Sequence, residues 1–101
     1  MRQFDVCRNK GRGAARTPYL LIIQRDWVEE LPTRLVAPVM RLKSGEIVSR
    51  VMVGVDIEGE SLLIALPELF SIDRNMLGPV VGNVSGLRDD IVRALDFMIT
   101  G

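Results

Sequence analysis

No histidine occurs among the 101 residues, and cysteine occurs once, at Cys7. The first absence removes the Ser-His-Asp and Cys-His constellations, histidine-ligated metals and the commonest general base. The second removes any internal disulfide and any cysteine-built zinc site. There is no signal peptide and no apolar run long enough to span a membrane, so the expected location is the cytoplasm. Charge of either sign is not in excess: thirteen Lys/Arg balance thirteen Asp/Glu. That balance argues against a general nucleic-acid binder and against direct sequence-specific contact with nucleic acid. These exclusions favour a binding protein over an enzyme, with no metal and no cofactor.

The apolar share of 48% is that of a globular chain rather than a disordered one, and the length suits a single domain over residues 1–101. The neutral total hides an asymmetry. Residues 1–50 carry ten Lys/Arg against five Asp/Glu, whereas 51–101 carry three against eight. A positive N-terminal half is suited to attract an acidic partner segment.

Short alternating or β-branched runs mark strands in "QFDVCR", "YLLIIQ" and "RLVAPVM". The second is apolar throughout and is expected to be buried on both faces. Pro38 lacks an N–H for a ladder, which predicts an edge strand or a bulge in the third. "NKGRGAARTP" and "RDWVEELPT" read as loops, and "KSGEI" as a turn. "RVMVGVDI" and "SLLIAL", separated by Glu58-Gly59-Glu60, form a hairpin. "PELFSIDRNMLGPVVGN" is broken by proline and glycine and leaves room for one short strand, near Ile72 or Val80.

Only the last stretch has a helical period. Leu87, Ile91, Ala94/Leu95 and Met98 share one face. Ser85 is the expected N-cap, Asp89 and Asp90 suit the first turn, and Asp89 is spaced to pair with Arg93. Phe97 falls off the apolar face and, with Ile99, forms a candidate contact near the chain end. Five or so strands and one terminal helix predict a mainly antiparallel barrel or sandwich packed by that helix.

Other motifs are weak. "GRGAAR" lacks the third glycine and the following helix of a phosphate-cradling loop. The acidic pairs Glu29-Glu30 and Asp89-Asp90 are adjacent in sequence and do not converge on one reacting atom. Trp27 stands in a polar turn, either capping the core or serving as a binding hot spot. Composition and spacing alone stop at a small β-rich binding domain.

The ordered segments "QF-V", "IIQRDWVEE", "RLVAPV", "EIVSR" and "DDIVRALDFMITG" resemble, over nearly the whole chain, the CcdB family of toxins that poison DNA gyrase. The resemblance implies a small SH3-like β-barrel of the CcdB/MazF type with a C-terminal helix, forming a homodimer. It also implies a plasmid-maintenance type of module, a CcdA-like antitoxin with an acidic disordered tail, and the A subunit of DNA gyrase as target. Carried onto this chain, the gyrase-contacting residues are Arg25, Trp27 and Val28 in the loop, with Asp96, Phe97, Ile99, Thr100 and Gly101 at the helix end. Leu95 and Met98 are expected at the dimer interface. The chain departs from the family in ending "MITG" where the family has "MFWGI". Loss of a tryptophan anchor weakens an interface by ~2–4 kcal/mol.

Two other readings stand beside this one. A ribonuclease of the related MazF fold would use Arg8, Lys10, Arg12 and Arg16 to line a basic cleft. Alternatively, a CcdB-like protein with the departed end has lost toxicity.

Overall fold

The computed structural model describes residues 1–25, 30–42 and 49–100. Seven strands lie among them: β1 (Asp5–Asn9), β2 (Tyr19–Ile22), β3 (Thr33–Met40), β4 (Met52–Ile57), β5 (Glu60–Ala65), β6 (Phe70–Asp73) and β7 (Leu77–Asn83). One helix, α1 (Arg88–Ile99), follows. All strand pairs are antiparallel, in the order β4-β5-β3-β2-β1-β7 with β6 attached to β3. The sheet curls into a half-barrel with α1 packed on its inner side, the fold class that the strand and helix patterns predict. No helix of the described residues is long and apolar enough to cross a membrane.

Alternation explains the curl's interior. In β4, Val53, Val55 and Ile57 are buried while Gly54 and Asp56 face out. They meet Val6, Leu21, Val39 and Ile64 in the main core, which Ile91 and Ala94 of α1 close. β2 is buried at all four positions. Tyr19 and Leu21 enter the main core, whereas Leu20 and Ile22 join Cys7, Val36 and Leu77 in a second cluster on the opposite face. The continuous apolar run of this strand is thus explained by two covered faces.

Pro38 proves compatible with an interior strand. β3 pairs with β2 along one side and with β6 and then β5 along the other. The Leu35 carbonyl accepts from the Ile23 N–H on the β2 side, so odd positions of β3 bond toward β2. Pro38, of even parity, turns its nitrogen to the seam where the partner changes from Phe70 of β6 to Ile64 of β5. No ladder bond is lost there. The expected edge or bulge is therefore replaced by a junction between two partner strands.

The β4–β5 hairpin forms as expected, with Glu58 and Gly59 at φ of 50° and 81°. Two positive φ values are the pattern of a type I′ turn, whose twist matches that of the strands. "PELFSIDRNMLGPVVGN" contains two strands rather than one. Pro67 lies in a 3-10 turn, while Gly78, Pro79 and Gly82 sit in β7, whose register against β1 shifts between Val6 and Cys7 and again between Cys7 and Asn9. Gly78 and Pro79 together oppose Arg8 alone, a β-bulge. The irregular composition is that of a bulged end strand.

The helix begins later than its cap signal suggests. Residues Ser85–Leu87 form a 3-10 turn, and the Ser85 N–H donates to Asn83 Oδ1 at 3.0 Å. Ser85 is therefore not the N-cap of α1. Asp89 and Asp90 occupy the first turn as expected. Arg93 pairs with Asp90 at 3.3 Å, three residues back, instead of with Asp89. The turn expected at "KSGEI" lies outside the described residues.

Candidate functional site at the end of the terminal helix

α1 buries Ile91 and Ala94 and partly buries Leu87 and Leu95. Its apolar stripe then runs past the edge of the core. Met98 is 38% exposed, Phe97 46% and Ile99 78%. The sequence places Met98 on the buried face, and its periodicity is right, but the core ends one turn earlier. What remains is an apolar surface at the last turn, flanked by exposed Asp96.

Thr100 closes the helix. Its N–H and its Oγ1 hydroxyl both donate to the Asp96 carbonyl, each at 2.8 Å. Two bonds on one otherwise orphaned carbonyl fix the geometry of the last turn. A residue expected only to touch a partner thus also orders the surface that would do so.

The loop residues expected beside this surface are less informative. Trp27 and Val28 lie outside the described residues, as does Gly101. Arg25 is exposed, and no hydrogen bond, ion pair or ring contact among the described residues joins it to α1. Sequence reasoning missed Arg50 instead. Its guanidinium carbon lies 5.7 Å from the centroid of the Phe97 ring, within reach of a cation–π contact. No local signal announces a partner so distant in sequence.

The basic residues assigned to a ribonuclease cleft take different positions. Arg8 Nη2 lies 2.8 Å from both carboxylate oxygens of Glu58. Tyr19 donates its hydroxyl to Glu58 Oε1 at 2.6 Å, and the Arg8 guanidinium stands 5.9 Å from the Tyr19 ring centre. Glu58 therefore ties the tip of the β4–β5 hairpin to β1 and β2. Lys10 Nζ donates to the Asn75 carbonyl at 3.3 Å. Arg16 is half-buried in the turn that Gly13 starts, and Arg12 is exposed on the same loop. Arg8 is thus used in closing the half-barrel.

Burial and the neighbouring Asp5 carboxylate push the Cys7 thiol above its ordinary range. The bond to Glu58, followed by burial, raises the Tyr19 phenol. Both groups hold their protons and stand apart from the exposed end of α1.

Two solved structures share the fold. One is an endoribonuclease in complex with its cognate antitoxin from mycobacterial species. It matches with a TM-score of 0.76 at 12% identity, over 96% of this chain and 92% of that one. The other, the Mycobacterium tuberculosis toxin MazF-mt6, matches at 0.72 and 18% identity, over 95% of this chain and 94% of that one. At these identities the likeness is one of fold alone. Among curated proteins no sequence matches. The sequence profile described as "CcdB protein" matches residues 3–101. This span takes in every strand, α1 and its exposed end, in agreement with the resemblance read from the ordered segments. The chain belongs to the CcdB family, toxins of toxin–antitoxin modules.

Proposed function

We propose that this protein poisons DNA gyrase by binding rather than by catalysis. The end of α1 contacts the gyrase A subunit and holds the enzyme on cleaved DNA. A CcdA-like antitoxin with an acidic tail neutralises it, and the acting form is a homodimer joined through Leu95 and Met98. The observation that carries this reading is the apolar surface of Phe97, Met98 and Ile99, left outside the core by a helix that buries Ile91 and Ala94. An exposed patch on an ordered element marks an interaction site. The family assignment supports a toxin with an antitoxin partner, and the resemblance of the ordered segments adds gyrase as the target.

The departed end is compatible with this role if area is redistributed. Ile99 is the most exposed of these residues, and Phe97 supplies an aromatic face one turn of chain before the missing tryptophan. The ribonuclease reading has a fold relative in its favour. It is disfavoured by the engagement of Arg8 with Glu58 and Tyr19.

The test is induced expression in cells carrying a DNA-damage reporter, with and without an excess of the gyrase A subunit. Expression should kill, induce the reporter and be relieved by that excess. Deleting Thr100 and Gly101 should abolish killing while the purified chain still melts cooperatively. Killing that survives the deletion, with RNA cleaved and the reporter silent, would establish the ribonuclease instead. Harmless expression at high abundance would mean that the altered end has lost the target.

A further inference from the structure

A helix C-terminus carries partial negative charge and is stabilised by a nearby cation. α1 supplies none itself: its last turn has no basic residue and carries Asp96. The cation arrives from another part of the chain. Arg50, just before β4, lays its guanidinium over Phe97 at 5.7 Å.

Several other arginines of the fold are committed to polar partners. Arg8 and Arg41 are paired with Glu58 and Glu60, Arg93 with Asp90, and Arg88 Nη1 donates to the Gln3 amide oxygen. Among the described residues Arg50 has no carboxylate or carbonyl partner. A guanidinium is planar, so one face can rest on a ring while its N–H edge stays available to an acceptor. Here the face rests on a half-exposed phenylalanine of the helix's last turn. An arginine next to an aromatic is the composition in which interface hot spots are enriched.

We infer that Arg50 is a positioning and specificity residue of the partner-binding surface. It fixes the Phe97 ring and offers its N–H edge to a carboxylate on the partner. The inference rests on the proposed reading of the α1 end as the gyrase-binding surface. It adds the chemistry required of the partner: an apolar socket bordered by an aspartate or glutamate. It also assigns a role to the arginine of "EIVSR", which neither periodicity nor spacing connects to the helix.

The test titrates full-length protein against the purified gyrase A subunit by calorimetry, at low and high salt. The variants are Arg50→Ala, Arg50→Gln, Arg50→Lys, Phe97→Leu and the Arg50→Ala/Phe97→Leu pair. Arg50→Ala and Arg50→Gln should each weaken binding by about tenfold or more and flatten its salt dependence. Arg50→Lys should restore the salt dependence while recovering only part of the affinity, because an ammonium lacks the flat face. The double variant should lose less than the product of the single losses, since each residue acts through the other. A purely structural arginine would lower the melting temperature without changing the salt slope, and that result would overturn the inference.

If Ile99→Asp abolishes binding while both uncharged Arg50 variants bind within about twofold of wild type, Arg50 is not part of the surface and the gyrase reading stands. If the wild-type chain shows no binding to the gyrase A subunit, the reading falls and the inference falls with it.

Discussion

Glu58 holds two partners at once, and its position explains much about the half-barrel. Its backbone sits at a φ of 50°, uncommon for a residue with a Cβ, and its carboxylate accepts from Arg8 and Tyr19. Changing Tyr19 to Phe removes a part-buried bond to a charged acceptor, which should cost about 1 kcal/mol in urea unfolding. The phenol pKa is raised in the folded state, so the protonated form is the one that folding favours. Its contribution is fully present below the unfolded value of ~10 and disappears as pH rises through the folded value. The melting temperature should therefore fall more steeply above pH ~10 in wild type than in Tyr19→Phe. Cys7, also raised, contributes a loss of the same sign that persists in the variant. With one tyrosine in the chain, the phenolate absorbance reports this titration directly. Gly78 is held by close approach of the neighbouring strand. A Cβ there would lie 2.6 Å from the Arg8 carbonyl oxygen and 2.9 Å from Arg8 Cβ, because the bulge presses the two strands together. Gly78→Ala should destabilise by about 1–3 kcal/mol. Gly82→Ala in the same strand meets nothing within 4 Å and should stay within ~0.5 kcal/mol of wild type. Equal losses in thermal unfolding would refute the close-approach account.

α1 divides its length between two tasks. Ile91 is fully buried in the main core, and Ile99, two turns on, is mostly exposed. Truncating Ile91 to Ala deletes methyl groups from a packed interior and should cost about 2–5 kcal/mol. Ile99→Asp should leave the unfolding midpoint nearly unchanged, since little surface is buried there. Denaturant titrations of both variants check the division, and a large loss from Ile99→Asp would place the helix end in the core. The 3.6-residue period made this helix legible in the sequence, and the alternation of β4 made the hairpin legible in the same way. Periodicity cannot show where the core stops along a helix. Met98 continues the stripe correctly and is still exposed, because no strand among the described residues extends far enough to cover it. β7 was hard to read for the opposite reason. Its glycine and proline belong to a bulged strand, and a bulge destroys the period on which strand recognition depends.

At the scale of the whole molecule the charge asymmetry of the two halves changes meaning. Arg8 and Arg41 come from the positive half, and Glu58 and Glu60 from the negative half; folding joins them as two bridges. Part of the field expected to attract an acidic partner is thereby neutralised within the fold. The exposed cations left on the loop after β1, Lys10 and Arg12 among them, are the better candidates for that attraction. The exposed part of Met98, beside partly buried Leu95, is a candidate for self-association about a two-fold axis, which leaves Ile99 to the other partner. Sedimentation at micromolar concentration should give about twice the chain mass of 11.3 kDa, and Met98→Asp should shift the species toward monomer. A wild-type chain that sediments as a monomer would remove the dimer from the proposed mechanism.

Local structure was legible from the residues alone over much of the chain: the runs that form β1 to β5, that β2 is covered on both faces, that a hairpin turns at Glu58-Gly59, and that a helix follows. These depend on side-chain periods and on turn residues within a few positions, which one chain displays openly. The order of these segments also carried the family. Three other features came only from the folded chain. Pro38 lies at a junction between two partner strands, Arg8 and Arg41 are committed to carboxylates of the β4–β5 hairpin, and Arg50 faces Phe97. Each of these depends on the curl of the sheet, which brings together residues far apart in the chain. Charge pairing and ring contacts fall off within a few ångströms, so their partners are set by that curl rather than by spacing along the sequence.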